Sequence, residues 1–125
     1  MKVNLITAPD KLLNRNESFL LVAPSDRLKQ DFNDLVKTMT ADINLYYWEE
    51  SDNDIPWLLD VANIVDTIIL DADQVKENEW LIGYFLGFNK TYYLTTNESR
   101  VYNNINMNRI YDLSFIQTGD NIETQ

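Results

Sequence analysis

The chain has 125 residues, of which 45% are hydrophobic and 24% are charged, a composition typical of one globular domain. It contains no histidine and no cysteine, which excludes an imidazole base, a thiolate metal site and a disulfide framework. The formal net charge of −10 argues against binding to a nucleic-acid backbone, because like charges repel. No apolar run approaches the length of about 18 residues that a membrane span needs, and the N-terminus lacks a signal-peptide core. A cytoplasmic protein is therefore expected.

Short apolar runs predict the strands of a sheet. In chain order they cover residues 3–6, 18–23, 43–48, 67–70, 90–95 and 113–116. The run at 18–23 is continuous and ends at Pro24, as expected for a strand that is buried on both faces. Residues 99–112 are polar and rich in asparagine, which predicts a loop or a short helix.

Two amphipathic helices are predicted between these strands. The first covers residues 25–39, where apolar side chains recur at helical spacing and Ser25 or Asp26 is the N-cap. The second covers residues 54–65 and is capped by Asn53 or Asp54.

A third helix is predicted at about residues 77–88, and it contains Gly83 and Gly87. Glycine in a helix interior costs about 1 kcal/mol relative to alanine. Gly83 therefore predicts close packing of this helix against the sheet or a neighbouring backbone. Gly87 is predicted to begin the end of the helix.

The alternation of strands and helices predicts an α/β fold, a three-layer sandwich with a parallel sheet of four or five strands, as in Rossmann and flavodoxin folds. One domain is expected over residues 1–116, followed by a disordered tail at 117–125. In such sheets, ligands bind beyond the carboxyl ends of the strands, at the point where the strand order reverses.

Residues at these strand ends, most of them polar, are the candidate ligand-binding residues. They are Pro24, Ser25, Asp26, Glu49, Asp71 and Asp73. Ser25 and nearby N–H groups at a helix N-terminus can hold an anion. Asp71 or Asp73 can contact a ribose hydroxyl or a base amine, although Asp73 equally suits a turn or a helix cap. The acidic segment 49–54 offers oxygen ligands for Mg²⁺ or Ca²⁺, but it lacks EF-hand spacing and suits a solvated loop better. No metal site and no cofactor are predicted.

Three segments together resemble the nucleoside 2-deoxyribosyltransferase family, and the resemblance covers about residues 18–96. They are FLLVAPS (19–25), VDTIILDAD (65–73) and WLIGYFLGFNKTYYL (80–94). The family has a strand that ends in a small-Gly-Pro turn, an A-D strand, and an E-x-G-x-A-x-x-x-G-K-P motif. The matching residues are Pro24, Asp66, Gly83, Gly87 and Lys90. TIR domains and related Rossmann-like nucleotide hydrolases share this layout.

The resemblance implies chemistry at an N-glycosidic bond by a glutamate nucleophile. The position of that glutamate holds Leu81, which cannot form a glycosyl ester, and the glycine of the turn is replaced by Ala23. Glu77 and Glu79 lie just upstream and are the candidate catalytic residues. On a helix, Glu77 would share a face with Leu81.

These observations predict a non-catalytic relative of the family, an accessory protein that binds a protein partner or a nucleotide-like ligand. Frequent Asn, Ile and Tyr with rare Gly fit an AT-rich coding genome, such as many phages have, and a phage protein would act in the host cytoplasm. One alternative is an active deoxyribosyltransferase or N-glycosidase that uses Glu77 or Glu79. Another is an acidic structural or inhibitory protein that binds a basic partner. The resemblance also implies a homo-oligomer, because family members often complete their sites across a dimer interface.

Overall fold

A computed structural model describes residues 3–6, 17–38, 43–50, 54–85, 87–95, 108–110 and 113 of the chain. Six strands and three helices lie within these residues. The strands are β1 (Val3–Ile6), β2 (Glu17–Val22), β3 (Ile43–Trp48), β4 (Thr67–Asp71), β5 (Thr91–Leu94) and β6 (Asn108–Ile110). The helices are α1 (Asp26–Val36), α2 (Ile55–Ile64) and α3 (Trp80–Phe85). None of these three helices is long and apolar enough to cross a membrane.

The strands form one parallel sheet in the order β1-β3-β2-β4-β5-β6. From β2 the chain moves to β3 on one side and later to β4 on the other, so the strand order reverses between β2 and β4. Without β1, this is the flavodoxin-like order 2-1-3-4-5. The predicted α/β class and parallel sheet are confirmed, and β6 brings the described sheet to six strands.

Helices cover both faces of the sheet, which confirms the three-layer arrangement. On one face, α1 packs on Phe19 and Leu21 of β2, where the Phe19 and Phe32 rings meet edge to face at 5.2 Å. On the other face, α2 and α3 pack on Leu20 and Val22. Successive β2 residues thus alternate between two apolar clusters, as the pleat of a strand requires.

For each of the first two helices the sequence predicts two possible N-cap residues, and one of the two is the N-cap in the structure. Ser25 caps α1, because its Oγ accepts a hydrogen bond from the Leu28 backbone N–H at 3.1 Å. Asp54 caps α2, because its Oδ1 accepts one from the Trp57 backbone N–H at 3.2 Å. Both caps satisfy donors that a helix start leaves without an intrahelical acceptor.

The last described strand lies earlier in the chain than predicted. β6 falls within the segment 99–112, for which a loop or a short helix is predicted, and pairs in parallel with β5. A strand of three residues is too short to show a hydrophobic period. Its pairing also depends on backbone groups, which leave no mark in the sequence. The predicted strand at 113–116 lies outside the described residues except for Leu113, a buried bend residue. The predicted tail at 117–125 also lies outside them.

The third helix is shorter than predicted, since α3 has six residues and residues 77–79 form a bend and a turn before it. The expectation that Gly83 packs closely is wrong. A Cβ added at Gly83 would meet no atom of the described residues within 4 Å. Neither Gly83 nor Gly87 has a positive φ, so neither requires the conformational freedom of glycine.

We predict that Gly83→Ala raises the free energy of unfolding by about 0.5–1 kcal/mol, because alanine loses less conformational entropy in a helix and has room here. Urea unfolding followed by circular dichroism measures the change. Gly87→Ala is the comparison, since Gly87 follows α3 and its added methyl would lie 3.6 Å from the Tyr84 carbonyl oxygen. A smaller gain is expected there, and a loss of stability in Gly83→Ala would contradict the prediction.

Candidate functional site

A hydrogen bond joins the segments that leave β2 and β4, the two strands between which the order reverses. The Ser25 backbone N–H donates to Oδ2 of Asp71 at 3.1 Å. Asp71 is the last residue of β4 and is only 4% exposed. A buried carboxylate therefore lies where ligands of this fold class bind.

The surroundings of Asp71 make its carboxyl harder to ionise than that of an ordinary aspartate. Burial raises the pKa of the Asp71 carboxyl above its ordinary value, and the negative charge of Asp73 acts in the same direction. Hydrogen bonds from the Ser25 backbone and side chain oppose the rise without cancelling it. Ser25 thus both caps α1 and stabilises the Asp71 carboxylate.

The turn before Ser25 contains local backbone strain. Ala23 has a φ of 52°, and it is the one non-glycine residue of the described chain with a positive φ. A left-handed conformation costs a residue with a Cβ about 1–2 kcal/mol. The Ala23 N–H donates to the Trp48 carbonyl oxygen at 2.7 Å, and both Ala23 and Pro24 are buried. These contacts hold the turn in a conformation that glycine would adopt freely.

Asp73 forms its hydrogen bond toward β5, on the side of β4 that faces away from β2. Its Oδ1 accepts a hydrogen bond from the Thr95 hydroxyl at 2.6 Å, and the Thr95 carbonyl oxygen accepts one from Arg109 Nη2 at 3.4 Å. Asp73 therefore connects the ends of β4 and β5 and, through Thr95, the β6 residue Arg109. Arg109 was absent from the predicted site, because its polar segment gave no sign of a strand.

The two glutamates after β3 have different partners. Glu49 forms an ion pair with Lys29 of α1, and the Lys29 ammonium lies 5.6 Å from the centre of the Tyr47 ring. The hydrogen bond to Glu49 raises the pKa of Lys29 above its ordinary value. Burial raises the pKa of the Tyr47 hydroxyl. Glu49 is thus one member of a half-exposed ion pair between β3 and α1.

Glu50 accepts four hydrogen bonds from the loop that precedes α3. The donors are the backbone N–H groups of Lys76 at 3.1 Å, Glu77 at 2.9 Å and Asn78 at 2.9 Å, and the Asn78 side-chain amide at 3.2 Å. Successive N–H groups that converge on one anion form a nest. Partial burial acts to raise the pKa of Glu50, but these hydrogen bonds outweigh it, so the pKa lies below its ordinary value. The sequence places Glu50 in the acidic segment 49–54 as a possible cation ligand but does not predict this role, since only the backbone geometry distinguishes Glu50 from Glu49.

The candidate catalytic residues Glu77 and Glu79 are both exposed, and both precede α3. Glu77 lies in a bend, so it does not share a helix face with Leu81 as expected for a longer helix. Leu81 is fully buried and belongs to the apolar cluster beneath α2 and α3. The position that the family resemblance assigns to a nucleophile therefore faces the core of this protein.

The structure places the six candidate ligand-binding residues at different depths. Pro24 and Asp71 are buried, Ser25, Glu49 and Asp73 are half-buried, and Asp26 is exposed. It brings together Ser25 with Asp71, while Asp73 bonds Thr95 and Glu49 pairs with Lys29. In the described part of the chain, no group of three or more acidic side chains could hold a metal ion, and residues 51–53 of the acidic segment lie outside it. The carboxyl ends of the strands, called the carboxyl edge of the sheet, thus present carboxylates that accept hydrogen bonds from their own chain.

We predict that Glu50→Ala lowers the free energy of unfolding by about 1–2 kcal/mol at neutral pH, because backbone N–H groups lose a charged acceptor. Glu50→Gln should cost less, since its amide oxygen still accepts. Glu49→Gln is the matched control and should cost less than about 1 kcal/mol, because its ion pair is half exposed to solvent. Urea unfolding measures all three. Equal losses at positions 49 and 50 would contradict the role assigned to Glu50.

We predict that wild type loses stability relative to Asp71→Asn as the pH rises from about 4, the ordinary carboxyl pKa, toward neutrality. A group whose pKa is raised by folding stabilises the fold below its unfolded pKa and loses that contribution as the pH rises through the folded pKa. Urea unfolding of both proteins across this pH range measures the difference. Glu50→Gln is the control of opposite sign when the series is extended below about pH 4, because the lowered pKa of Glu50 keeps its contribution complete above the ordinary carboxyl pKa and removes it only on further acidification. A pH-independent difference for Asp71→Asn would contradict the prediction.

Comparisons of this chain with protein-family models, with curated proteins and with solved structures found no match. Function must therefore be argued from the fold and from the contacts described above.

Proposed function

We propose that this chain is a non-catalytic binding protein on a flavodoxin-like scaffold, an accessory protein that acts by binding a protein partner. The observation that carries the proposal is the burial of Leu81 in the apolar core. A family nucleophile at this position would be a carboxylate. An ionised carboxylate without partners in such surroundings would be very costly, so this position is built for packing.

The other acids offer little support for catalysis. Glu77 and Glu79 are exposed to solvent in the loop before α3. A nucleophile or a general acid needs a fixed position against its substrate and a site that excludes water. The Glu77 backbone N–H is bonded to Glu50, which fixes the loop but leaves the Glu77 side chain at the surface.

A nucleotide-like ligand is the other kind of partner that the proposal covers. Its sugar or base would present hydroxyl or amine donors to Asp71 and Asp73. These carboxylates already accept hydrogen bonds from Ser25 and Thr95, and Asp71 is only 4% exposed, so little of its acceptor surface is open to a ligand. A protein partner is therefore favoured.

The residue composition, which fits an AT-rich genome, favours a phage origin and action in the host cytoplasm.

The competing hypothesis is an active deoxyribosyltransferase or N-glycosidase. Asp71 is the observation in its favour, because a buried carboxyl with a raised pKa at a strand end is a common mark of active sites. In that case Glu77 or Glu79 would attack the anomeric carbon, and Asp71 and Asp73 would orient the sugar or the base.

We predict that the purified protein releases no free base from deoxynucleosides, nucleotides or NAD above a protein-free blank. Chromatographic measurement of adenine, guanine, thymine, cytosine and nicotinamide checks this over a long incubation. Glu77→Gln and Glu79→Gln are the matched variants. Base release by wild type that either variant abolishes would refute the proposal and establish the competing hypothesis.

A further inference from the structure

α3 presents exposed aromatic side chains that packing within the described chain does not explain. Trp80 is 51% exposed and Tyr84 is 37% exposed, and among the described residues only Ile64 is a further exposed large hydrophobic side chain. Gly83 and Tyr84 come three and four residues after Trp80, so all three lie on one side of the helix. These three residues are called the α3 aromatic face.

The exposed rings are held by rings beneath them. Trp80 and Tyr84 meet edge to face with centroids 6.3 Å apart, and Tyr84 lies 5.3 Å from both Phe85 and Phe88. Phe85 is fully buried in the core. Because these contacts restrict the rings before any partner arrives, binding loses little further side-chain entropy. Aromatic anchors of this kind dominate the energy of protein interfaces.

Gly83 lies beside the Trp80–Tyr84 ring pair on the helix surface, and no packing contact in the described chain explains it. It has an ordinary φ, and an added Cβ would meet no described atom within 4 Å. Its cost to the helix is therefore not offset by packing in this part of the chain. The missing side chain leaves the helix backbone open beside the ring pair, where the surface of another molecule can approach closely.

The charges beside this face favour a basic occupant. Glu77 and Glu79 are exposed just before α3, where the same loop carries one lysine, Lys76. A second lysine, Lys90, lies over the Phe88 ring, but its ammonium donates to the Val65 carbonyl oxygen. Indole and phenol rings attract cations, and Trp is the strongest of these rings. The chain carries a net charge of −10, so a second copy or a nucleic acid would be repelled, whereas a basic protein would be attracted.

We propose that the α3 aromatic face is the docking surface for a basic protein partner, which places an arginine or lysine side chain against Trp80 and Tyr84 and beside Glu77. The partner backbone lies against Gly83. This inference rests on the proposed binding function and gives it a surface and a partner chemistry.

The test uses the full chain and a short fluorescein-labelled peptide of arginine and leucine, with a matched peptide in which glutamate replaces arginine. Fluorescence anisotropy is titrated at several salt concentrations. The arginine peptide should bind wild type, and Trp80→Ala should weaken binding by about tenfold or more. Glu77→Gln should weaken it several-fold and reduce its salt dependence. Asp34→Asn, the same charge change on exposed α1, should leave the affinity at the wild-type value.

Gly83→Gln separates docking from folding. Glutamine is a better helix former than glycine, so this variant should unfold at the same or a higher urea concentration than wild type. Its side chain would cover the open backbone, and peptide affinity should fall about tenfold. A loss of binding without a loss of stability cannot come from misfolding.

Several results would overturn the proposal. These are no binding of the arginine peptide, equal binding of the glutamate peptide, or equal affinities for Trp80→Ala, Glu77→Gln and Asp34→Asn. Sedimentation that shows a dimer dispersed by Trp80→Ala would overturn it in favour of a second copy. Failure of peptide binding without base release rejects this surface and leaves the binding function in place. Base release from nucleosides rejects the binding function itself.

Discussion

The hydrogen bond from the Ser25 backbone N–H to the Asp71 carboxylate connects the segment after β2 to the end of β4, and the strand order reverses between these two strands. The same turn holds β3 through the bond from the Ala23 N–H to the Trp48 carbonyl, and it starts α1 through the Ser25 cap. A left-handed alanine costs about 1–2 kcal/mol, and each hydrogen bond returns about 1 kcal/mol net. The strain is therefore sustained by bonds to three separate elements, and the carboxyl edge depends on their being formed together.

The remaining acids at this edge extend the same pattern. Glu50 fixes the loop before α3 through three backbone N–H groups, and Asp73 connects β4 to β5 through Thr95. A ligand at these carboxylates shares them with donors of the chain itself, and any such donor that it displaced and left unpaired would cost about 1–3 kcal/mol. The edge where this fold class usually binds ligands is thus committed to holding the sheet and helices in place. Binding at another surface avoids that cost.

The sequence allows the layered fold to be predicted because burial leaves a periodic pattern. Leu28, Phe32 and Leu35 mark the inner side of α1, and the continuous run before Pro24 marks a central strand. The placement of single side chains was not predictable in this way. Glu50 reaches a loop 26 residues further along, and nothing local separates it from Glu49. β6 is too short to carry a period, and its pairing depends on backbone groups of β5.

Ala23 and Gly83 both reduce stability, but for different reasons. Contacts within the molecule account for the unfavourable conformation of Ala23. Its backbone N–H donates to the Trp48 carbonyl oxygen, and its methyl group is buried, so both stabilise the turn. The entropic cost of Gly83 has no such explanation among the described residues, where space is open and φ is ordinary. The exposed rings of Trp80 and Tyr84 lie beside it, and Tyr84 contacts the buried ring of Phe85. An unoffset cost beside exposed aromatic rings is the observation on which the proposed docking surface rests. Within the described residues, the outer side of α3 therefore carries exposed aromatic surface that folding leaves unexplained, whereas the carboxylates at the ends of β3 and β4 are bonded within the chain.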